Sequence, residues 1–186
     1  LKRGALLGPS QIGILASLRL ASVPCTRRPV VAVLSTGDEV VDLDQPLTPG
    51  KIPSSNSYTL CGLVQELGAT PLYVGIARDD RADIEGRLKA ASAADLILTS
   101  GGVSVGDFDF IKDVMTSGGN RMEFWQVAMK PGKPLAFGFT GGVPTIGLPG
   151  NPASAMVSFY QFARPAILTL LGASMVATGG EHLAHL

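Results

Sequence analysis

The densest group of chemically capable residues lies in the run SGGVSVGDFD, Ser100 to Asp109. Three glycines, Gly101, Gly102 and Gly106, share ten positions with Ser100, Ser104, Asp107 and Asp109. Glycines at the end of a strand let backbone N–H groups approach an anion closely, and a helix starting beyond them adds its positive end. Two carboxylates beside that position would repel a bare phosphate, so they point to a bridging divalent cation. For this run alone the competing reading is a plain strand-to-helix turn with Asp near the helix N-terminus.

Four further polar segments belong with it: Ser35-Thr36-Gly37-Asp38-Glu39, Arg78-Asp79-Asp80, Lys130-Pro131-Gly132-Lys133-Pro134 and Pro149-Gly150-Asn151-Pro152. Asp38, Glu39, Asp79, Asp80, Asp107 and Asp109 cannot all ionise side by side without a cation or lysines to offset them. Mg²⁺ is the economical answer, because it takes oxygen ligands, keeps several waters and is commonly shared with substrate phosphates. For each Asp taken singly the bland alternative is a helix N-cap or a solvated loop charge. Lys130 and Lys133, held in a Pro/Gly frame, suit a tetrahedral oxyanion or a phosphate as compact point charges, against the alternative of an ordinary exposed loop. Nothing points to nucleophilic catalysis, since neither cysteine lies in a glycine-rich loop. His182 and His185 sit three apart in a tail that reads as a frayed terminus in preference to half of a metal site.

The elements that must position these loops follow from apolar periodicity. A helix is expected over 9–20, and strands over 30–34, 72–77, 94–99, 122–129, 135–139 and 143–148. Helices are expected after Ser54-Ser55-Asn56, with Leu60, Leu63, Val64 and Leu67 as the apolar face, and around Ile84, Leu88 and Ala91. Another begins with Phe110-Ile111 and Val114-Met115. A long one runs from Asn151-Pro152 to about 171, kinked by Pro165. Strand–loop–helix units in succession predict an α/β fold: three layers, a mostly parallel sheet with helices on both faces. In such a sheet the strand C-termini share one edge, and ligands bind there. The expected organisation is a helix and linker over 1–27, the end of a preceding domain, then the α/β domain over 28–172. Residues 173–186 read as a tail or the start of another domain.

Composition narrows the partners. The 186 residues carry 15 Lys and Arg against 15 Asp and Glu, without the basic surplus that nucleic acid demands. Aromatic residues are 6% of the chain, too few for base-stacking platforms. Cys25 and Cys61 are expected to be small buried residues in a reducing compartment, the cytoplasm. No signal-peptide pattern opens the chain. The apolar stretch 153–171 carries Ser154, Ser158, Gln161 and Arg164, so it reads as a core helix and not a membrane span.

Six motifs in order carry a family likeness: STGDEV at 35–40, SN at 55–56, GIARDD at 75–80, SGGVSVGDFD at 100–109, KPGKP at 130–134 and LPGNPASA at 148–155. Together they resemble the molybdopterin molybdotransferases, enzymes of the last step of molybdenum cofactor synthesis, whose relatives include the C-terminal domain of gephyrin. The resemblance implies a molybdopterin-binding α/β domain and a homodimeric enzyme that uses Mg²⁺. Its small-molecule substrates would be adenylylated molybdopterin and molybdate; the metal is inserted at the dithiolene and AMP released. It also implies contact with the molybdopterin adenylyltransferase.

The family's acidic site positions fall on Glu39, Asp79 and Asp109, and its loop prolines on Pro149 and Pro152. Asp79 and Asp109 would hold Mg²⁺ against the diphosphate. Gly101, Gly102 and Ser104 would cradle the pterin phosphate side, with Thr36, Gly37 and Ser100 beside them, and Lys130 and Lys133 would meet anionic oxygens. Family members carry more chain on both sides, with further site residues. The competing readings are the adenylyltransferase of the same fold, whose equivalent loop reads GGTG, competence-damage-type proteins with GGLGPT, and a non-catalytic scaffold.

Overall fold

The computed structural model describes residues 2–102, 114–116 and 120–173. Ser104, Gly106, Asp107, Asp109, Phe110, Ile111, His182 and His185 therefore lie outside the described residues. In chain order the elements are α1 (Pro9–Ser17), β1 (Val30–Thr36), β2 (Val40–Val41), β3 (Ile52–Pro53), α2 (Ser55–Glu66), β4 (Thr70–Ala77), α3 (Arg81–Ala90), β5 (Leu96–Ser100), β6 (Arg121–Gln126), β7 (Pro134–Thr140), β8 (Val143–Leu148), α4 (Pro152–Ser158) and α5 (Arg164–Leu170). The main sheet has six strands in the order β4-β1-β5-β8-β7-β6. The first four run parallel, whereas β7 is antiparallel to β8 and β6 to β7. This is the expected mostly parallel α/β sheet.

Alternation along β1 builds one core on each face. Val31 and Val33 pack with Leu60 and Val64 of α2 and with Phe159 and Ile167 from the end of the chain. Ala32 and Leu34 pack on the other face with Ile84 and Leu88 of α3 and with Val114 and Met115. Strands buried on both faces read as unbroken apolar runs, which is why β1 and β5 are legible in the sequence. Each of these large side chains, once fully buried, contributes about 1.5–3 kcal/mol from apolar area removed from water.

Four local expectations need correction. First, α1 stops at Ser17, followed by Arg19 at φ 58, and none of its residues is buried. Its Ile12, Ile14 and the following Leu18 stay exposed. Second, β1 does not end at Leu34 but continues through Ser35 and Thr36, both buried, because Ser57 from α2 supplies Ser35 with a hydroxyl partner at 2.7 Å. Third, the last helix is broken into α4 and α5 by a π-turn at Phe159–Ala163, where the Arg164 N–H donates to the Phe159 carbonyl five residues back. Pro165 lacks the N–H that an α-register would aim at the Gln161 carbonyl, and its ring would crowd that oxygen; the wider turn relieves both. Fourth, Cys25 is exposed; only Cys61 is half-buried, its thiol pushed up by burial.

Two arrangements brace the sheet where the site begins. Arg27 bonds both carboxylate oxygens of Asp95, whose Oδ2 also accepts from the Val30 N–H at 2.8 Å. The pair is exposed on the arginine side, so its service is alignment of the starts of β1 and β5 more than stability. On the opposite flank the β1–β4 register slips between Val33 and Leu34, leaving Val74 as the extra residue of a bulge. Gly75 takes φ +100 there, and Arg87 of α3 fills the place its Cβ would need, donating to the Val74 carbonyl at 3.0 Å. Asp83, bonded to Arg87 Nε at 3.1 Å, accepts from the Arg78 N–H at 2.8 Å and so fixes the loop that carries Asp79.

Candidate functional site

From β1 the chain crosses to β4 on one side, and the later strands add on the other. The topological switch point therefore falls between β1 and β5, the place where an open α/β sheet leaves a crevice at its carboxyl edge. Thr36 and Gly37 end β1 there, and Ser100, Gly101 and Gly102 end β5. Gly101 has φ +88, and a Cβ added to it would lie 2.6 Å from the Thr36 carbonyl oxygen and 3.2 Å from Thr36 Oγ1. A Cβ on Gly150 would in turn lie 3.6 Å from the Gly101 Cα. Three loops thus meet through backbone and glycine with no side chain between them.

The glycines work differently from the sequence expectation. The Gly101 N–H is committed to the Leu148 carbonyl at 3.2 Å and the Gly37 N–H to the Ala77 carbonyl at 3.3 Å, so neither is spare for an anion. What Gly101 supplies is close approach. Thr36 Oγ1 and Thr99 Oγ1 are buried and have no hydrogen-bond partner. An orphaned hydroxyl beneath a glycine cradle is a group that a ligand can satisfy.

Asn56, quoted in the sequence only as part of a motif, proves to be the staple of the crevice. Its Nδ2 donates to Ser100 Oγ at 2.8 Å and to the Gly150 carbonyl at 2.9 Å, tying α2 to the ends of β5 and β8. The signal available in the sequence was its place next to an N-cap serine, which suggested a local role. Beside it Ser35, Ser54 and Ser57 form a buried hydroxyl cluster, with Ser54 Oγ 2.6 Å from Ser57 Oγ. Asn56→Ala removes both donor bonds and is expected to cost about 1–2 kcal/mol of stability, read as a lower denaturation midpoint at unchanged slope.

The acidic residues separate into three roles. Asp80 is the N-cap of α3, accepting from the N–H groups of Ala82 and Asp83, and is withdrawn from the candidate site. Asp38 and Asp79 clasp one another: the Asp38 N–H donates to Asp79 Oδ2 at 3.3 Å and the Asp79 N–H to Asp38 Oδ1 at 3.2 Å. Burial, together with the negative charges of Asp38 and Glu39, raises the Asp79 carboxyl above its ordinary value, and the Asp38 N–H partly opposes this. The Glu39 carboxylate sits over Gly37, where a Cβ would come within 2.7 Å of Oε2. Beyond the clasp opens a polar cleft of about 680 Å³ lined by Asp38, Asp42, Lys51, Arg78 and Arg87 among others. Among the described residues no three His, Cys, Asp or Glu side chains form a metal cage.

The lysine loop reaches the same edge by the antiparallel pair. Gln126 faces Pro134 and Ala136 faces Gly147, so residues 127–133 lie at the end where β8 finishes. Lys130 and Lys133 are exposed, without an ion pair to any described residue, and β8 separates their strands from β5. Pro149 is buried next to the crevice, and Pro152 is exposed in the first turn of α4, whose N-cap Asn151 accepts from the Ser154 N–H at 3.1 Å. The structure therefore joins Thr36, Gly37, Ser100, Gly101 and Pro149 at the crevice, sets Glu39 and Asp79 on one flank, and puts Lys130 and Lys133 on the other. Asp109 and Ser104 lie outside the described residues. No described helix is long and apolar enough to cross a membrane.

Comparison with known proteins agrees with this geometry. The family described as "Probable molybdopterin binding domain" matches residues 32–169. A molybdopterin molybdenumtransferase from Haemophilus influenzae is 46% identical over 173 residues, covering 92% of this chain and 43% of the relative. One from a Nostoc species is 44% identical over 170 residues, covering 89% of this chain and 39% of the relative. The crystal structure of a molybdopterin biosynthesis MoeA protein from Pyrococcus horikosii superposes with a TM-score of 0.80 at 34% identity, over 92% of this chain and 43% of that one. The chain thus spans about two fifths of the length of these relatives. The matched segment runs from β1 into the last helix and takes in every loop of the crevice, and the chain belongs to the molybdopterin-binding domain family.

Proposed function

We propose that this domain binds adenylylated molybdopterin in the β1–β5 crevice and serves the insertion of molybdate at the dithiolene, with release of AMP. The observation that carries the reading is the Gly101 cradle against Thr36, with its orphaned hydroxyl, at the switch point of the sheet. The activity belongs to relatives more than twice the length of this chain, so the domain's own contribution is to bind and orient. Thr36 and Ser100 line the floor, Pro149 closes one side, and Lys130 and Lys133 attract the oxyanions of molybdate or phosphate.

Mg²⁺ fits the donor set on the acidic flank. It is commonly held by one or two carboxylates together with substrate phosphates, and Asp79, whose charge is disfavoured by Asp38 and Glu39, gains from a cation beside it. Asp79 and Asp109 would hold the ion, which would offset phosphate charge as AMP leaves. Asp38 keeps the Asp79 carboxyl in place through its N–H, and Glu39 stands over Gly37 at the mouth. A homodimer in the cytoplasm, receiving its substrate from the adenylyltransferase, completes the proposal.

The test is a chimera in which this chain replaces the matching residues of the Haemophilus influenzae relative. Molybdate-dependent AMP release is expected from it. An intact chimera that binds the adenylylated pterin but never releases AMP favours a binding or scaffold role. One that does not bind it overturns the assignment of the crevice.

A further inference from the structure

Ser158 is the last residue of α4, fully buried, and its Oγ has no hydrogen-bond partner. A buried hydroxyl left unpaired costs about 1–3 kcal/mol relative to a satisfied one, so alanine would be the cheaper residue in the structure as it stands. The neighbour of this hydroxyl is the lysine loop. Gly132 is buried at φ +104, and a Cβ placed on it would lie 2.8 Å from Ser158 Oγ and overlap Met129 Cε. The loop backbone therefore rests directly on the serine. Within the loop, the Val127 N–H donates to the Lys133 carbonyl at 3.1 Å and the Met129 N–H to the Val127 carbonyl at 2.9 Å. The carbonyls of Lys130, Pro131 and Gly132 accept no hydrogen bond from any described residue. An unused donor thus lies under three unused acceptors, between the two lysines. The helix changes to the wider π-turn immediately after Ser158, a feature that recurs where helices serve a site.

We propose that Ser158 is a positioning residue for the lysine loop: when a tetrahedral dianion bridges Lys130 and Lys133, its Oγ–H donates to one of the open carbonyls at 130–132 and fixes the loop in its loaded geometry. The inference rests on the reading that these two lysines meet the anionic substrate. Attraction of both ammonium groups to one dianion draws the loop toward a single arrangement. The serine then contributes in the loaded state the bond it lacks in the free one. Differential contact of this kind is what allows a ligand to select one of two arrangements. Ser158 does not touch the anion.

The experiment measures binding of molybdate alone to the purified chain by titration calorimetry, with the unfolding temperature taken in its absence. Wild type, Ser158→Ala, Ser158→Cys and the double variant Lys130→Ala/Lys133→Ala are compared. Cysteine keeps the volume of serine but is a poor donor. Saturable binding is expected for wild type and none for the double lysine variant. Both Ser158 variants are expected to bind about 5–10-fold more weakly, while their unfolding temperatures without molybdate stay equal to or above wild type. Wild-type affinity in both Ser158 variants, with the lysine variant inactive, overturns the role of Ser158 and leaves the lysine reading standing. A lysine variant that binds as wild type does, or a wild type that does not bind, overturns the lysine reading itself. Lowered stability and affinity in Ser158→Ala that Ser158→Cys restores would assign the serine to packing and also overturn the proposal.

Discussion

A Gly101→Val variant is expected to lose more than about 100-fold in affinity for adenylylated molybdopterin and about 3 kcal/mol of folding stability, a fall in unfolding temperature of about 6–12 °C. Two costs combine. The residue sits at φ +88, a conformation that a β-branched residue adopts only under strain, and its Cβ would lie 2.6 Å from the Thr36 carbonyl oxygen. That oxygen belongs to the backbone of the central strand, which is locked between β4 and β5 and cannot give. The loop must move instead, taking with it the Leu148 carbonyl that the Gly101 N–H holds and the Gly150 backbone packed against it. The comparison is calorimetric titration of the folded variant below its unfolding temperature. Near-wild-type affinity would place the pterin somewhere other than this crevice.

Asp79→Asn carries the next largest effect, in the opposite direction for stability. Its carboxyl is held above its ordinary value, so the charged form is disfavoured in the folded chain. The folded state then holds its proton to higher pH than the unfolded state, and stability declines as pH rises from the ordinary carboxylate value through the raised one. Asparagine removes that cost while still accepting from the Asp38 N–H. The variant is expected to be at least as stable as wild type at pH 7, with the gain vanishing at pH below the ordinary carboxylate range. Mg²⁺-dependent tightening of the adenylylated ligand, by contrast, is expected to fall by about 10–100-fold, because the cation loses a charged oxygen. Unchanged tightening would take Asp79 out of the metal site.

The parts of this fold legible in the sequence are those where burial is two-sided. Val31 to Leu34 and Leu96 to Leu98 announce central strands because both faces demand apolar residues. Ser35 and Thr36 look like loop for the converse reason: their polarity is answered, or left unanswered, by groups distant in the chain. The glycine loop at 101–102 was visible, yet its working part was not. The Gly101 N–H is used by β8, and strand order is a long-range fact that no local pattern carries. Asn56 was hidden in the same way, because both of its acceptors lie more than forty residues away. Asp80 and Asp79 are neighbours of one residue type, but the first finds the open N–H groups of α3 and the second finds Asp38. The bulge at Val74 is paired through Gly75 with Arg87, a contact between strand and helix that neither segment announces alone.

The π-turn at Phe159–Ala163 has a consequence for how this chain tolerates change in length. A π-turn houses one residue more than the α-helix it interrupts, so it behaves as an insertion already absorbed. Deleting a single residue there would restore the tighter winding and rotate everything beyond it by about 100°. Ile167, seated against Val31 and Val33, would swing off the core, and the carbonyl conflict at Pro165 would return. The same deletion in the exposed excursion between β2 and β3 would disturb no such phase. The final helix is thus keyed, like a bit cut to one notch, and the extra residue is what lets its two halves address the sheet independently.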